Sequence, residues 1–166
     1  MTFHELHSLL TDHFGPDAIL AGEENGLMPY IQIPANRLVE ICRFLHDSEQ
    51  TYFDSLSCLT GIDNGPSTNT IEVVYNLYSI LFEHGLCLKV VLPRVPEQGI
   101  LPVIPSVSTI WRTADWHERE AFDLMGIQFA GHPDLRRIFL PEDWNGHPLR
   151  KDYNEQPNYH GIQVKY

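Results

Sequence analysis

The chain has 166 residues, 43% hydrophobic and 11% aromatic, which is enough apolar material for one sizeable core and leaves little room for a second domain. Eleven Lys and Arg stand against 22 Asp and Glu, a formal charge of -11 at pH 7, so the surface as a whole repels phosphate backbones and anionic headgroups, and nucleic acid is excluded as a partner class. No run approaches the roughly 20 apolar residues of a membrane-spanning helix, and the amino terminus lacks the basic and apolar regions of a secretory signal.

Phe3, Leu6, Leu9, Leu10 and Phe14 recur at helical spacing, and Gly15-Pro16 stops that first helix. A short strand over residues 17–22 and a turn over 23–26 follow, then an alternating strand over 29–34. Residues 35–48 form a second helix, with Leu38, Ile41, Cys42 and Leu45 on one stripe. Residues 52–63, 69–81 and 85–93 read as three strands joined by short turns, for which antiparallel pairing is the default. A connector over residues 93–106 carries Pro93, Pro96, Pro102 and Pro105, and can be neither helix nor central strand. Cys42, Cys58 and Cys87 lie far apart among apolar neighbours, as core thiols of a reducing compartment do. With no CxxC pair or four-cysteine cluster, they form no ligand set for an iron-sulfur centre or a structural zinc.

One more helix is readable, from Asp115 to Met125. Asp115 is placed as N-cap with Glu118 at capping-box spacing, and Gly126 as the C-terminal stop. The remainder is rich in Gly and Pro, with a brief strand-like stretch over 136–140. So long a polar segment cannot build its own core and needs a surface to lie on. The fold class is therefore α+β: a mixed, largely antiparallel sheet with helices packed on one face, then a helix and an extended C-terminal arm. Residues 1–105 are assigned to the α+β domain, 106–126 to a linker and helix, and 127–166 to a partner-binding tail.

On a helical projection His117, Glu118, Ala121, Phe122, Leu124 and Met125 share one side of the last helix. Trp116, Arg119, Glu120 and Asp123 share the other, with Arg119 and Asp123 at ion-pair spacing. Glu118 is then expected to be buried, and a buried carboxylate must be paired, well hydrogen-bonded or protonated. Arg136 or Arg137 is the expected cation, which makes Glu118 structural; a general acid or base, or an exposed cap, is the alternative. Trp116 among charges suits a protein interface. The run His117-Glu118-Arg119-Glu120 starts a zinc-hydrolase motif but has Ala121 where the second imidazole is needed. His132 and His147, each between Gly and Pro, read as turn residues, with a pair of metal ligands as the alternative. No glycine-rich nucleotide loop or nucleophile elbow is present. The residues describe a binding domain with a docking helix and arm.

Three blocks in order, Glu118 to Ile127 (EREAFDLMGI), Gly131 to Ile138 (GHPDLRRI) and Leu140 to Tyr153 (LPEDWNGHPLRKDY), resemble the signature of the 30-kDa subunit family of NADH:quinone oxidoreductase, respiratory complex I, whose members carry the letter C in that complex. The resemblance implies a stand-alone, non-catalytic subunit of the peripheral arm. In the family, electrons pass from NADH through FMN and iron-sulfur clusters in other subunits to quinone, coupled to proton translocation. No cofactor or metal is then expected on this chain. The implied partners are the quinone-site subunit, lettered D, and the iron-sulfur subunits lettered B and I, with membrane contact only through the complex, on the cytoplasmic side. Related membrane-bound hydrogenase or dehydrogenase complexes contain an equivalent subunit and form the alternative. The residues assigned to the interface or its support are Trp116, Glu118, Arg119, Glu120 and Asp123 on the helix, and His132, Asp134, Arg136, Arg137, Trp144, Arg150, Lys151, Asp152 and Tyr153 on the arm.

Overall fold

The first helix, α1 (Phe3–Phe14), starts at a reciprocal cap: the Glu5 N–H donates to Thr2 Oγ1 and the Thr2 N–H to Glu5 Oε2. The structure is a computed structural model describing residues 1–95 and 100–165; residues 96–99 of the connector and residue 166 lie outside the described residues. After α1 the chain makes a short 3-10 turn (Pro16–Ala18), so the first strand, β1 (Ala21–Glu23), begins later than the sequence suggests. Strand β2 (Tyr30–Gln32), helix α2 (Leu38–Asp47) and the long strands β3 (Ser55–Asp63), β4 (Thr70–Ser79) and β5 (His84–Pro93) follow.

These strands form one mixed sheet in the order β1-β2-β5-β4-β3. β3, β4 and β5 pair antiparallel as neighbours in sequence, whereas β2 lies parallel to β5. Register settles which side chains go inward. Leu59, Tyr75 and Leu88 form one cross-strand row; Gly61, Val73 and Val90 form the next; Asp63, Ile71 and Leu92 form the last. All point to the side on which α1 contributes Leu6 and Leu10 and α2 contributes Leu38, Ile41, Cys42 and Leu45 to a single core. The opposite face carries Thr60, Ile62, Asn76, Tyr78 and Lys89, which are exposed or half-buried. Cys58 and Cys87 belong to that face, flanking Asn76 in register, so only Cys42 lies in the helix-side core. Strand pleating decides this where apolar neighbours suggest otherwise. All three cysteines are free thiols.

The connector contains a strand the sequence hides, β6 (Val103–Pro105). It pairs in parallel with β7 (Gln128–Ala130), leaving its proline at the strand end, where no ladder hydrogen bond is needed from it. Between them lies α3 (Ala114–Met125), packed on β3, and Val107, Trp111, Ala114, Ala121, Met125, Ile127 and Phe129 join the same core. Gly61 makes this approach possible: a Cβ there would lie 3.1 Å from both Met125 Cγ and Ile127 Cδ1.

The start of α3 differs from expectation. Thr113 occupies the N-cap position and Asp115 is already inside the first turn, so no capping box forms. Thr113 Oγ1 donates to Leu56 O instead, and 3-10 type bonds such as Ala114 N to Trp111 O wind the chain into the helix. At the other end Gly126 is left-handed (φ 66°) as expected of a helix stop. The two-residue strands β8 (Asn158–Tyr159) and β9 (Ile162–Gln163) form a small hairpin near the end of the arm.

A Cβ at Gly126 would lie 2.4 Å from His147 Cδ2, and the left-handed backbone adds a conformational cost of roughly 1–2 kcal/mol for an L-residue. Gly126→Ala is therefore expected to lower the urea midpoint by the equivalent of about 2–3 kcal/mol and to speed proteolysis of the arm, because His147 must leave its seat.

Candidate docking site

Asp123 is fully buried on α3, and its carboxylate collects the start of the arm. Oδ2 accepts the N–H groups of Ile138, Phe139 and Leu140 at 3.0, 2.7 and 3.0 Å. Oδ1 accepts from Arg137 Nη1 at 2.8 Å, and the same guanidinium donates to Asp123 O, Trp144 O and Gly146 O. Consecutive amides aimed at one oxygen form an anion nest, a geometry incompatible with a strand. That is why the strand-like stretch over 136–140 is not a strand. Burial pushes the Asp123 carboxyl up, but the amides of Leu140 and Phe139, the Arg137 guanidinium and the Ile138 amide outweigh it and hold the group below the usual range.

Further along the arm, the open carbonyls at the end of α3 find donors. His147 Nδ1 donates to Asp123 O at 2.9 Å and Leu149 N to Leu124 O at 3.0 Å. Arg150 Nε donates to Met125 O at 2.8 Å and its Nη2 to Gly126 O at 3.0 Å. A cation on the last turn also meets the negative end of the helix dipole. Burial lowers the pKa values of both His147 and Arg150.

A third clasp sits at the end of the sheet. Asp63 and Arg94, both buried, form a bidentate pair at 2.7 and 3.1 Å. Asp63 Oδ2 also accepts the Lys151 N–H at 2.8 Å, and Arg94 reaches on to the Asp152 carboxylate. Burial opposes ionisation of Asp63, yet its bonds to Arg94, Lys151 and Gly65 hold its carboxyl low. Trp144 Nε1 donates to Tyr153 OH at 3.0 Å, and the Trp144 ring leans on Tyr159 at 5.2 Å.

The expected pairing of Glu118 with an arginine is not found. Glu118 is fully buried, but Oε2 accepts from Ser106 Oγ at 2.5 Å and Oε1 from the Val107 N–H at 2.7 Å, so it pins the connector. Arg136 is exposed and pairs with Asp134 at 3.0 Å, while Arg137 is committed to Asp123. Nor do Arg119 and Asp123 pair along an outer helix face, because the arm covers that face. Arg119, largely buried, donates weakly to Arg136 O at 3.4 Å, lies 3.9 Å from Asp134 and sits over the Trp116 ring at 5.0 Å. Trp116 is 64% exposed and Phe139 on the arm 62%. Glu120 is exposed, and the ring of His132 is buried against Asp115. Sequence reasoning misses Asp63, Arg94, Ser106 and the helix-end role of His147. For Asp63 a signal exists, since strand alternation places it on the core side, where a carboxylate demands a cation.

The arrangement is thus a helix whose charges hold down an arm, and known proteins carry the same stretch. The pattern of the family described as respiratory-chain NADH dehydrogenase, 30 Kd subunit, matches residues 31–159, from β2 through α3 to the end of the clasped arm. The chain belongs to that family. A relative from Chloroherpeton thalassium, the NADH-quinone oxidoreductase subunit lettered C, is 43% identical over 166 residues, covering 98% of this chain, which spans 66% of that relative. The subunit of the same name from Chlorobium phaeobacteroides is 42% identical over 162 residues, covering 96% of this chain and 93% of its own length. Among solved structures, a chain of the membrane-bound sulfane sulfur reductase, an archaeal respiratory membrane complex, has the same fold. Its TM-score is 0.73 at 23% identity, over 91% of this chain and 85% of that one. The α+β reading of the 30-kDa subunit fold therefore holds.

Removing the Asp123 carboxylate strips three amides and Arg137 of their acceptor, a loss on the order of 3 kcal/mol. Asp123→Ala is expected to show this in denaturant unfolding, with early proteolytic cuts after Arg136 or Arg137. Because the Asp63 and Asp123 carboxyls are held low in the folded state, their contribution is full above the ordinary Asp value of about 3.9 and is lost as pH falls through the lower folded values. Acid unfolding of Asp123→Ala should accordingly be shallower than that of the wild type.

Proposed function

We propose that the chain is a non-catalytic, peripheral-arm subunit of NADH:quinone oxidoreductase, and that α3 and the arm dock it on the quinone-site subunit beside the two iron-sulfur subunits lettered B and I. Electrons then pass from NADH through FMN and iron-sulfur clusters in the other subunits to quinone, coupled to proton translocation, and this subunit keeps its partners in place. It binds no flavin, cluster or metal of its own and is held at the cytoplasmic side of the membrane through protein contacts.

One observation carries the reading: the polar groups of α3 that resemble catalytic equipment are spent within the chain. Glu118 holds the connector, Asp123 and the helix-end carbonyls hold the arm, and what is left facing outward is Glu120 beside two bare aromatics, Trp116 and Phe139. Aromatic and arginine anchors of this kind are the residues that carry interface energy. The family membership, the names of the relatives and the fold shared with a chain of a respiratory membrane complex support it. Among the described residues no helix is long and apolar enough to cross a membrane, and no group of three or more His, Cys, Asp or Glu is placed to hold a metal ion.

The test is affinity purification of the tagged chain from its host. The expected outcome is co-purification of the other peripheral-arm subunits. Trp116→Ala with Phe139→Ser should cut the recovered complex about tenfold, the effect of roughly 1.4 kcal/mol of interface energy, and leave the unfolding midpoint of the free chain nearly unchanged. Quinone reduction per assembled complex should stay normal. Stoichiometric flavin or iron on the isolated chain, or full assembly of the double variant, would overturn the reading.

A further inference from the structure

Under the first turn of the arm, three titratable groups meet that none of the clasps uses. Glu118 is faced by Asp115 from its own helix, His132 from the arm, Ser106 from the connector, and Cys42 of α2 and Tyr75 of β4 from the core. The nearest nitrogen able to carry charge is His132 Nε2, 3.9 Å from Glu118 Oε2, 3.4 Å from Asp115 Oδ1 and 3.2 Å from Asp115 O.

The Asp134 N–H donates to the His132 ring at Nδ1, 3.0 Å away, and Nε2 donates to Asp115 O, so both ring nitrogens are engaged by backbone groups and neither bonds to Glu118. Glu118 is thus a buried carboxyl whose two hydrogen-bond partners, the Ser106 hydroxyl and the Val107 amide, carry no charge, with the Asp115 carboxyl close by, and the fully buried His132 ring closes the arm side of its pocket. Asp115 Oδ1 is itself buried without a hydrogen-bond partner.

We propose that seating of the turn over residues 131–134 on α3 is coupled to uptake of one proton by Glu118: the arm closes over the neutral carboxylic acid, whose Oε2 proton is then donated to Ser106 Oγ while the Ser106 hydroxyl turns to Ser108 Oγ, and the proton returns to solvent when the turn lifts and water reaches the carboxylate. The inference concerns this chain alone and does not depend on the identity of its partners.

Burial pushes the Glu118 carboxyl up to about 7, with Asp115 adding to the rise against the bonds from Ser106 and Val107. In the lifted state it returns to the ordinary value of about 4.3. Below that value both states hold the proton and seating is at its strongest. Between the two values the seated state holds one proton more, so each unit of rising pH weakens seating by up to tenfold; above about 7 the dependence flattens. Cys42 and Tyr75 do not share in this proton, because burial pushes both far above neutrality, with the Glu118 charge adding to the effect.

The test is amide hydrogen exchange on the full chain from pH 5.5 to 8.5, corrected for the intrinsic chemical rate. Protection of the His132 and Asp134 amides is expected to fall about tenfold or more between pH 5.5 and 7 and then level off. The amides of Ile138, Phe139 and Leu140, held by Asp123, should show no such step. Glu118→Gln keeps acceptor and donor for Val107 and Ser106 without a charge, and its protection should be flat with pH. Asp115→Asn should move the step to lower pH, and it remains informative if the Gln variant does not fold. An unchanged step in either folded variant, or an infrared difference spectrum placing the Glu118 carboxyl ionised at pH 5.5, would overturn the proposal.

Discussion

The Asp123 carboxylate sets the shape of everything that follows α3. An ionised carboxyl can be fully buried only if donors surround it, and here they come from one short segment, Arg137 to Leu140. Since those amides converge on one point, the chain reverses at Ile138 and is returned along the end of the helix. There Leu149 and Arg150 meet carbonyls that every helix leaves open. The path then carries Lys151 and Asp152 to Asp63 and Arg94 at the end of the sheet.

The sheet supplies the rigid part of this arrangement. Gly61 lets Met125 and Ile127 approach β3 closely, so α3 shares the core of the long strands and its exposed side is fixed relative to them. Glu118, Arg119 and Asp123 of α3 then face inward or toward the arm, Glu120 stays exposed, and the exposed aromatic of the helix, Trp116, is held under the Arg119 guanidinium. Contact with Arg119 restricts the Trp116 ring, so less side-chain freedom is left to lose in any further contact.

Much of the fold can be read from the chain because it rests on local pattern. The periodicity of α1 and α2, the alternation of β3 to β5 and the Gly126 stop are properties of neighbouring residues. What stays hidden depends on residues far apart. Asp63 is bonded to Lys151 across 88 positions, and no local signal joins them. The burial of Glu118 follows from its place on the helix, but its partners, a serine hydroxyl and a backbone amide of the connector, leave no compositional trace, while the nearby arginines do. Arg137 answers a different carboxylate from the one it suggests, Asp123 in place of Glu118 little more than one helical turn away. The strand-like apolar run after Arg136 satisfies its backbone at a side chain, an outcome that residue type does not distinguish from a ladder.

The parallel pairing of β6 with β7 has a kinetic consequence. Residues 103–130 form a strand-helix-strand unit whose contacts are close in sequence, and the Asp123 nest closes over only 14 to 17 positions. The clasp at Asp63 and Arg94 closes over 58 and 88. Loop closure grows more costly with span, and contacts of short span form first. The arm therefore zips from the helix toward the sheet. During synthesis Asp123 remains a hydrated carboxylate until Arg137 to Leu140 have left the ribosome, so the outer side of α3 stays open until the first part of the arm has emerged.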